Sequence, residues 1–565
     1  MNAAARTAAF FLSAGMSTMP PMNFNDPPPE DAELPGLLSD LLDQAEHPDL
    51  GLRRTAFERL YELALKVQTR ISAAVPTLIA GLADPDPQIG ESAVWALHYC
   101  APESLEPLIA CLTHREAFVR ERAAHALGNI GEVARVDGAP ALQRLLSDPD
   151  QRVRKRAAWA LGLTRDNSES TLERLATLVS QGTPGDAEAA LHALGNIGKT
   201  AGAGSLSRYR QVALAALQRP ESTIRRWALY AAESTGLAPQ DWATVLVEVV
   251  RHDESGEVRE AALSGLRAVA SMVDLAEAVP TLLSRLADAS REAMLVCAVL
   301  AEMRPRPTAA IPALHAILPN DDLVIPASQA LWRIEGRADL LIPGLRRVFH
   351  DSAEEVCDLI AELGPAASPL IPDVIQAMGG ESWDLQWAAA DALRAMASSD
   401  PQVMPPLLNA LSHPSPIVQS ASARALAAIG APAVAPLKRL LEDRASMRAT
   451  WAAYALGDMG PIAAAALDEL RAGMRSGETP FCGCCAIAVA SISGGTEAMP
   501  YLIEVVRGDD ADGPRQAAAK ALGDMGPAAV AAIDALEALL DDEDDSDEVA
   551  NEIIRALWAI RGVRH

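Results

Sequence analysis

One short phrase recurs along the chain and constrains its fold more than any other feature. It reads Val-Arg-Lys-Arg-Ala-Ala-Trp-Ala-Leu-Gly at residues 153–162 and Val-Arg-Glu-Arg-Ala-Ala-His-Ala-Leu-Gly at residues 119–128. Its apolar positions have the spacing of an amphipathic helix. The leucine of the phrase, or an equivalent apolar residue, marks fifteen anchor positions about 33 residues apart: Leu97, Leu127, Leu161, Leu194, Leu229, Leu266, Leu300, Leu331, Ile360, Leu393, Leu426, Leu456, Val489, Leu522 and Leu557. Such a regular period predicts a tandem-repeat protein.

Each repeat is predicted to contain two helices. Pro76, Pro140, Pro280 and Pro372 are placed to open first helices, where a missing N–H costs nothing because the leading N–H groups have no helical partner. An acidic turn follows, such as residues 84–87 or 148–150, and its aspartates can cap the second helix. The second helix ends at a glycine, which can adopt the left-handed conformation of a helix C-cap.

The composition favours an all-α fold. Half of the 565 residues are hydrophobic, but only 4% are aromatic, and alanine supplies much of the apolar content. Alanine has the highest helix propensity and lets helices pack closely. Alternating runs of β-branched and aromatic residues are missing, so almost no sheet is expected.

Charge and cysteine content narrow the possible environments and partners. The net charge of −27 argues against a general nucleic-acid binder, which needs a broad basic surface. Seven scattered cysteines indicate a reducing compartment, and we expect a cytoplasmic protein. No segment approaches the roughly 18 consecutive apolar residues of a membrane span. We expect residues 1–35, rich in Pro, Asn and Ala, to be disordered, and residues 36–565 to form a single solenoid.

The Pro-x-Leu openings, acidic turns, Val-Arg starts and Ala-Leu-Gly-x-Ile-Gly endings resemble HEAT repeats. The resemblance extends over roughly residues 50–562 and is greatest to the short bacterial, phycobilisome-lyase-like kind. It implies a right-handed, armadillo-like α-solenoid of about 15–16 helix pairs, in which second helices line a concave surface. HEAT proteins are commonly scaffolds and adaptors, so the resemblance implies a protein partner.

An enzymatic role is harder to support from the residues. The related di-iron deoxyhypusine hydroxylases carry His-Glu pairs at the starts of second helices. The corresponding pairs here are Glu91-Ser92, Glu121-Arg122, Lys155-Arg156 and Glu188-Ala189, and no His-Glu dipeptide occurs in the chain. Cys482, Cys484 and Cys485 lie where other repeats have small helix residues, so we interpret them as packing residues. We therefore predict no catalytic residues, no metal and no cofactor.

One row of side chains is a candidate partner-binding surface. Two residues before the first five anchors stand Trp95, His125, Trp159, His192 and Trp227, and the row ends at Ser264. We expect this row to lie off the buried stripe, with Arg122 and Arg156 one turn earlier, as an aromatic groove for a peptide or helix. The alternative is that these rings fill space between adjacent second helices. Tryptophan also occurs elsewhere on these helices, for example at positions 387 and 451.

The sequence thus favours a non-enzymatic scaffold or adaptor that binds a peptide or helical segment on its concave face. One alternative is a lyase-like or cofactor-chaperone activity, which rests on the phycobilisome-lyase resemblance. The other is nucleic-acid binding, for which only the basic residues between 120 and 156 provide support. A small-molecule partner is not indicated.

Overall fold

The structure is a computed structural model, and it describes residues 34–201, 207–286, 290–380, 382–397, 403–476, 480–507, 512–540 and 547–562. Within these ranges the secondary structure consists of thirty-two α-helices and short 3-10 segments, with no strand. The predicted all-α fold is therefore confirmed. None of the described helices is long and apolar enough to span a lipid bilayer. Residues 1–35 were predicted to be disordered. Of these, residues 1–33 lie outside the described residues.

The chain divides into two compact units, residues 1–274 and residues 275–565. The predicted single solenoid over residues 36–565 stays a prediction. The first unit contains fourteen described helices: α1 (Leu34–Ala45), α2 (Leu50–Val67), α3 (Val75–Gly81), α4 (Pro87–Tyr99), α5 (Leu105–Cys111), α6 (Ala117–Ile130), α7 (Arg135–Leu145), α8 (Gln151–Thr164), α9 (Glu169–Gln181), α10 (Pro184–Ala201), α11 (Arg210–Ala216), α12 (Ser222–Glu233), α13 (Pro239–His252) and α14 (Gly256–Val269).

The second unit contains eighteen helices among its described residues. They are α15 (Val279–Leu283), α16 (Arg291–Glu302), α17 (Ile311–Ile317), α18 (Val324–Glu335), α19 (Ile342–Val348), α20 (Ala353–Leu363), α21 (Ile371–Met378), α22 (Trp383–Met396), α23 (Met404–Ala410), α24 (Pro416–Ile429), α25 (Ala431–Leu440), α26 (Met447–Asp458), α27 (Leu467–Met474), α28 (Phe481–Ser493), α29 (Met499–Arg507), α30 (Asp512–Asp524), α31 (Ile533–Leu540) and α32 (Asp547–Arg561).

Odd-numbered helices open the repeats and even-numbered helices close them. Within each unit, every even-numbered helix packs against the next even-numbered helix. All fifteen anchor residues lie on even-numbered helices and all are buried. The period found in the sequence therefore places one residue of each repeat in the core, and neighbouring repeats bury a continuous stripe together.

The glycine that follows the anchor permits close contact between neighbouring even-numbered helices. A Cβ atom on Gly162 would lie 2.8 Å from the Cα of Ala193, and one on Gly457 would lie 3.0 Å from the Cα of Ala488. These distances are too short for a side chain at either glycine. The nearest atoms belong to the backbone of the next helix, which cannot move aside as a flexible side chain could. The recurring Leu-Gly pair thus sets the spacing of the helices, a role that the repeat pattern alone did not predict.

The predicted helix ends are confirmed in part. The carboxylate of Asp86 accepts hydrogen bonds from the backbone N–H groups of Gln88 and Ile89, at 3.0 and 3.2 Å, and so caps α4. Gly364 ends α20 with a positive φ of 60°, but its ψ of −136° is not the predicted left-handed helical conformation. Both angles together define a region that glycine adopts readily because it has no Cβ.

The prediction for Pro140 is wrong. Pro76 lies in the first turn of α3 as expected, but Pro140 lies inside α7, since that helix begins five residues earlier, at Arg135. Pro140 cannot donate a hydrogen bond to the carbonyl of Val136, four residues before it. Val136 is exposed at the start of the helix, so water can satisfy this carbonyl group.

Candidate functional site

The predicted ladder residues do lie together, but most of them are buried. Trp95, His125, Trp159 and His192 are all less than 8% exposed, whereas Trp227 is partly exposed. The expectation that this row lies off the buried stripe is therefore wrong for its first four members. The reason is the close packing of α4, α6, α8 and α10, which brings each ring against the next helix.

The rings contact one another across the helices. The ring centroids of Trp95 and His125 are 5.8 Å apart, and those of His125 and Trp159 are 5.4 Å apart, in edge-to-face geometry. His192 and Trp227 form a second pair at 4.6 Å. Edge-to-face pairs stabilise a core beyond their buried area. These contacts are those expected of aromatic residues that fill space between second helices.

Burial also fixes the charge state of the two histidines. Loss of hydration lowers the pKa of His192 to about 4, and burial holds the pKa of His125 well below its ordinary value. Both rings are therefore neutral near pH 7. Neither Nε2 of His125 nor Nε1 of Trp159 has a hydrogen-bond partner, so this part of the ladder is apolar packing rather than a polar network.

The two arginines predicted beside the ladder are engaged within the fold. The guanidinium of Arg122 donates to the backbone carbonyls of Leu82 and Asp84, at 2.9 and 2.7 Å, and so ties α6 to the turn before α4. Arg156 lies 5.4 Å from the centroid of the Trp159 ring. Burial lowers the pKa of both side chains, so neither guanidinium is a fully solvated surface cation.

Other arginines of the second helices pair with the next repeat. Arg120 contacts Asp148 at 2.7 Å, and Arg225 contacts Asp253 at the same distance. Arg154 contacts Asp186 at 2.9 Å and also donates to the carbonyl of Asp148 in its own turn. Each such arginine bridges its own turn and the next repeat. The basic residues that supported nucleic-acid binding are thus largely neutralised by carboxylates.

A different surface, in the second unit, has the character that was predicted for the ladder. Trp383 and Trp387, one turn apart on α22, are 66% and 60% exposed. Their ring centroids lie 6.1 Å apart, with an angle of 31° between the ring planes. Adjacent exposed aromatic rings form a contiguous apolar patch of the kind that interaction sites present.

These two rings border a pocket of about 400 Å³ between α22, α24 and α26. Its lining is mainly apolar, and Trp451, one of the lining residues, donates from Nε1 to the side-chain oxygen of Gln419 at 2.7 Å. We call this site the tryptophan pocket, and its lining residues are Trp383, Gln386, Trp387, Ala390, Asp391, Arg394, Pro416, Ile417, Ser420, Ala421, Arg424 and Trp451.

The rim of the tryptophan pocket carries two arginines and one aspartate. Arg394 pairs with Asp391 at 3.1 Å, and both side chains are exposed. Arg424 is hydrogen-bonded to Tyr454, and this bond raises the pKa of the arginine. The three charged side chains of the rim therefore have a net charge of +1, although the protein as a whole carries a net charge of −27.

This site was not among those predicted from the sequence, although a signal was present. In the next repeat, the residues at the same offsets from the anchor as Trp383 and Trp387 are Pro416 and Ser420. A large ring opposite a smaller residue has no partner to cover it. Comparing each aromatic residue with its counterpart one repeat later would have found the pocket.

The structure provides no further support for chemistry at the cysteines. Among the described residues, no group of His, Cys, Asp and Glu side chains is arranged to hold a metal ion. Cys485 is buried in α28, and burial raises the pKa of its thiol. A buried thiol with a raised pKa is a poor nucleophile.

The chain belongs to the HEAT-repeat family. The family model for HEAT repeats matches residues 75–138, 138–232, 371–457, 404–482 and 483–558. No curated protein has a matching sequence. The short bacterial, phycobilisome-lyase-like subtype stays a prediction.

Solved structures with a similar fold include importin-beta proteins. Yeast importin-beta, Kap95p, is 13% identical with a TM-score of 0.54, and the match covers 93% of this chain and 84% of that one. A crystal structure of importin beta is 12% identical with a TM-score of 0.50, covering 94% of both chains. A Kap95:Nup1 complex matches at 13% identity and a TM-score of 0.51, covering 94% and 84%. At these identities the likeness shows the α-solenoid fold alone.

Proposed function

We propose that this protein is a non-enzymatic scaffold that binds a peptide or helical segment of another protein at the tryptophan pocket. The HEAT-repeat fold is itself typical of protein-interaction scaffolds. Among proteins of similar fold, Kap95 has been solved in complex with Nup1, a protein partner. Fold alone does not assign function, so the proposal depends on the site.

One observation carries the proposal, namely the exposure of Trp383 and Trp387 at the mouth of an apolar pocket. A site that encloses a small molecule buries its aromatic rings around the ligand. Here the rings protrude beside the pocket instead. Tryptophan is the residue most enriched among the side chains that dominate binding energy in protein interfaces.

The size and charge of the pocket define the partner. A volume of about 400 Å³ is large enough for more than one apolar side chain. The exposed rings follow the surface of α22 for one turn, so a bound helix would place two apolar side chains one turn apart against them. The cationic rim formed by Arg394 and Arg424 favours acidic residues beside those anchors.

A random peptide library displayed on phage tests this proposal, with the full-length protein as bait. We expect selected peptides to share two large apolar residues at a spacing of three or four, flanked by Asp or Glu. Their affinity should fall at least about tenfold for the Trp383→Ala/Trp387→Ala double variant, as is typical for loss of such residues.

The control is Trp558→Ala, which removes a partly exposed tryptophan on α32, far along the chain from the pocket. This variant should bind the selected peptides as the wild type does. Selected peptides that bind the double variant equally well would contradict the placement. A selection that yields basic peptides, or no peptides, would contradict the proposed partner.

The other predicted functions remain open to direct tests. The binding role of the ladder and of a concave face stays a prediction, and Trp227 is the most exposed ring of that row. A lyase-like or cofactor-chaperone activity predicts a cofactor-bearing protein as isolated. Nucleic-acid binding predicts salt-dependent association with DNA. We propose a cytoplasmic location, which the lack of disulfides among the described cysteines supports.

A further inference from the structure

A second pocket lies where the aromatic ladder of the first unit ends. The ring of Trp227 contacts His192 of the preceding repeat, but the next repeat has Ser264 at the equivalent position, followed by Gly265. These small residues leave a pocket of about 370 Å³ beside Trp227. We call it the ladder-end pocket, and it is separate from the tryptophan pocket of the second unit.

Three aromatic side chains line the ladder-end pocket. Trp227 and Tyr230 come from α12, and their ring planes stand at 83°, with centroids 5.7 Å apart. The third, Trp242, comes from α13 and is buried. Tyr230 is also stacked with His192 of the preceding repeat, with 6.1 Å between the centroids, so Trp227 and Trp242 supply most of the aromatic surface that is free for a ligand.

Hydrogen bonds outside the pocket hold two of these rings in place. Nε1 of Trp227 donates to the carboxylate of Glu188 at 3.2 Å, and the hydroxyl of Tyr230 donates to the side-chain oxygen of Asn196 at 2.7 Å. Both polar ends are thereby satisfied on α10, so the rings do not need to rearrange when a ligand enters. A site organised in advance loses less entropy on binding.

The faces of these rings already attract cations of the protein itself. The ammonium of Lys199 lies 4.2 Å from the centroid of Tyr230, and the guanidinium carbon of Arg226 lies 5.4 Å from that of Trp227. Cations are drawn to aromatic faces by the ring quadrupole, most strongly to tryptophan. Lys199 does not belong to the pocket lining, whereas Arg226 does.

The pocket also carries one charge of each sign. Glu233 is exposed at its edge, one turn beyond Tyr230, and its carboxylate, together with burial as the larger cause, raises the pKa of that tyrosine. Arg226 supplies the positive charge. A simple cation would meet repulsion from this arginine, whereas a molecule with both charges matches the two groups.

We propose that the ladder-end pocket binds a small zwitterion that carries a fully alkylated ammonium group. The ammonium lies among Trp227, Tyr230 and Trp242, near the Glu233 carboxylate, and the anionic end faces Arg226. An alkylated ammonium has no N–H groups, so it gives up no hydrogen bonds when it enters a site made of rings.

Titration of the full-length protein, followed by tryptophan fluorescence and calorimetry, tests the proposal. The probes are glycine betaine, glycerophosphocholine, choline and the neutral isostere 3,3-dimethylbutan-1-ol. We expect at least one of the two zwitterions to bind more tightly than choline, and choline to bind about tenfold more tightly than the neutral isostere. Equal binding of the neutral isostere, no binding of either zwitterion, or tighter binding of choline than of both zwitterions would overturn the proposal.

Variants at exposed and small residues locate the site without disturbing the core. Glu233→Gln should weaken every ammonium probe several-fold, while Arg226→Gln should weaken only the zwitterions. Ser264→His places a ring at the ladder position of this repeat, so it should fill the pocket and abolish binding. Ser264→Ala leaves the pocket open and should retain binding. Retention of binding by Ser264→His, or loss with Ser264→Ala alone, would contradict the location. None of these variants changes the tryptophan pocket, so this proposal and the scaffold proposal fail separately.

Discussion

The ladder of the first unit and the tryptophan pocket of the second unit use the same residue type on the same class of helix, with opposite results. Trp159 on α8 is 5% exposed, whereas Trp387 on α22 is 60% exposed. Both helices contact an even-numbered neighbour on each side. The two residues differ in position along the helix, since Trp159 lies two residues before its anchor and Trp387 lies six residues before its own, and they also differ in what the neighbouring repeat places against the ring.

In the ladder, the neighbour of each tryptophan is another ring. His125 stands at the same offset as Trp159 one repeat earlier, and the two rings touch edge to face. In the tryptophan pocket, Ser420 stands at the same offset as Trp387 one repeat later. Burial or exposure of these aromatic residues thus depends on their offset from the anchor and on the residue one period away.

The largest predicted difference between the two regions concerns stability. Trp159→Ala should lower the free energy of unfolding by about 3–5 kcal/mol, because it leaves a cavity between closely packed helices. Trp387→Ala removes an exposed ring and should cost less than about 1 kcal/mol. Urea denaturation followed by far-UV circular dichroism compares the two. Equal losses would show that exposure does not separate the two rings in solution.

The second prediction concerns how closely the helices approach. Gly162→Val should destabilise the first unit by about 3 kcal/mol, because its Cβ would meet the Cα of Ala193. Near the tryptophan pocket the residues after the anchors are Arg394 and Ala427, which already carry side chains. Ala427→Ser is therefore the matched control and should cost much less. A shift of the melting temperature that is no larger for Gly162→Val than for the control would contradict the close contact.

The third prediction concerns pH. His192 has a folded pKa of about 4, below the value of about 6.5 in the unfolded chain. Between these values the unfolded state binds more protons, so stability should fall as pH drops from about 6.5 toward 4, by on the order of 3 kcal/mol for this residue. His125 contributes in the same direction. Above pH 7 neither histidine should contribute to the pH dependence of the free energy of unfolding.

Urea denaturation at pH 7.0, 5.5 and 4.5 measures this slope for the wild type and for His192→Gln. The variant should be less stable at pH 7 but should lose less stability on acidification. The second unit has no buried histidine in its described part, so its hydrogen exchange should change less over this range. An identical slope for both proteins would show that His192 is not buried as a neutral ring.

The smallest predicted effects concern the arginine pairs. Arg154→Ala should cost about 2 kcal/mol, because it leaves Asp186, 2% exposed, without its ion-pair partner. Arg394→Ala breaks an exposed pair with Asp391 and should cost at most about 0.5 kcal/mol. Thermal melting at low and high salt separates them, since only the exposed pair is screened strongly. Equal costs would indicate that the first pair is also solvated.

Much of the fold could be predicted because the repeat places the same chemistry at the same offsets. The anchor residues, the Asp86 cap and the pairing of Arg120 with Asp148 each depend on residues close in sequence or one period apart. The prediction for Pro140 was wrong because α7 begins before the proline. The 3-10 segment that precedes α7 gave no clear sequence signal for the start of the helix. The role of Gly162 required the distance between helices, which periodicity does not contain.

The candidate site was harder to predict, because it depends on contacts between neighbouring repeats. An offset from the anchor gives the side of a helix, but burial depends on the size of the residue that the next repeat presents. Trp159 and Trp387 lie two and six residues before their anchors, and Lys155, at the same offset as Trp387, is exposed as well. Ser420 and Ser264, two small residues, decide where pockets open, and small residues attract little notice in a sequence.

The most direct test is the affinity of one selected helical peptide for two variants, Trp159→Phe and Trp383→Ala/Trp387→Ala, measured by calorimetry. The first keeps an aromatic ring in the ladder, and the second removes the exposed pair. We expect wild-type affinity for Trp159→Phe and a loss of at least about tenfold for the double variant. Loss of affinity in Trp159→Phe, with full binding by the double variant, would show that the ladder is the binding surface and would contradict the account.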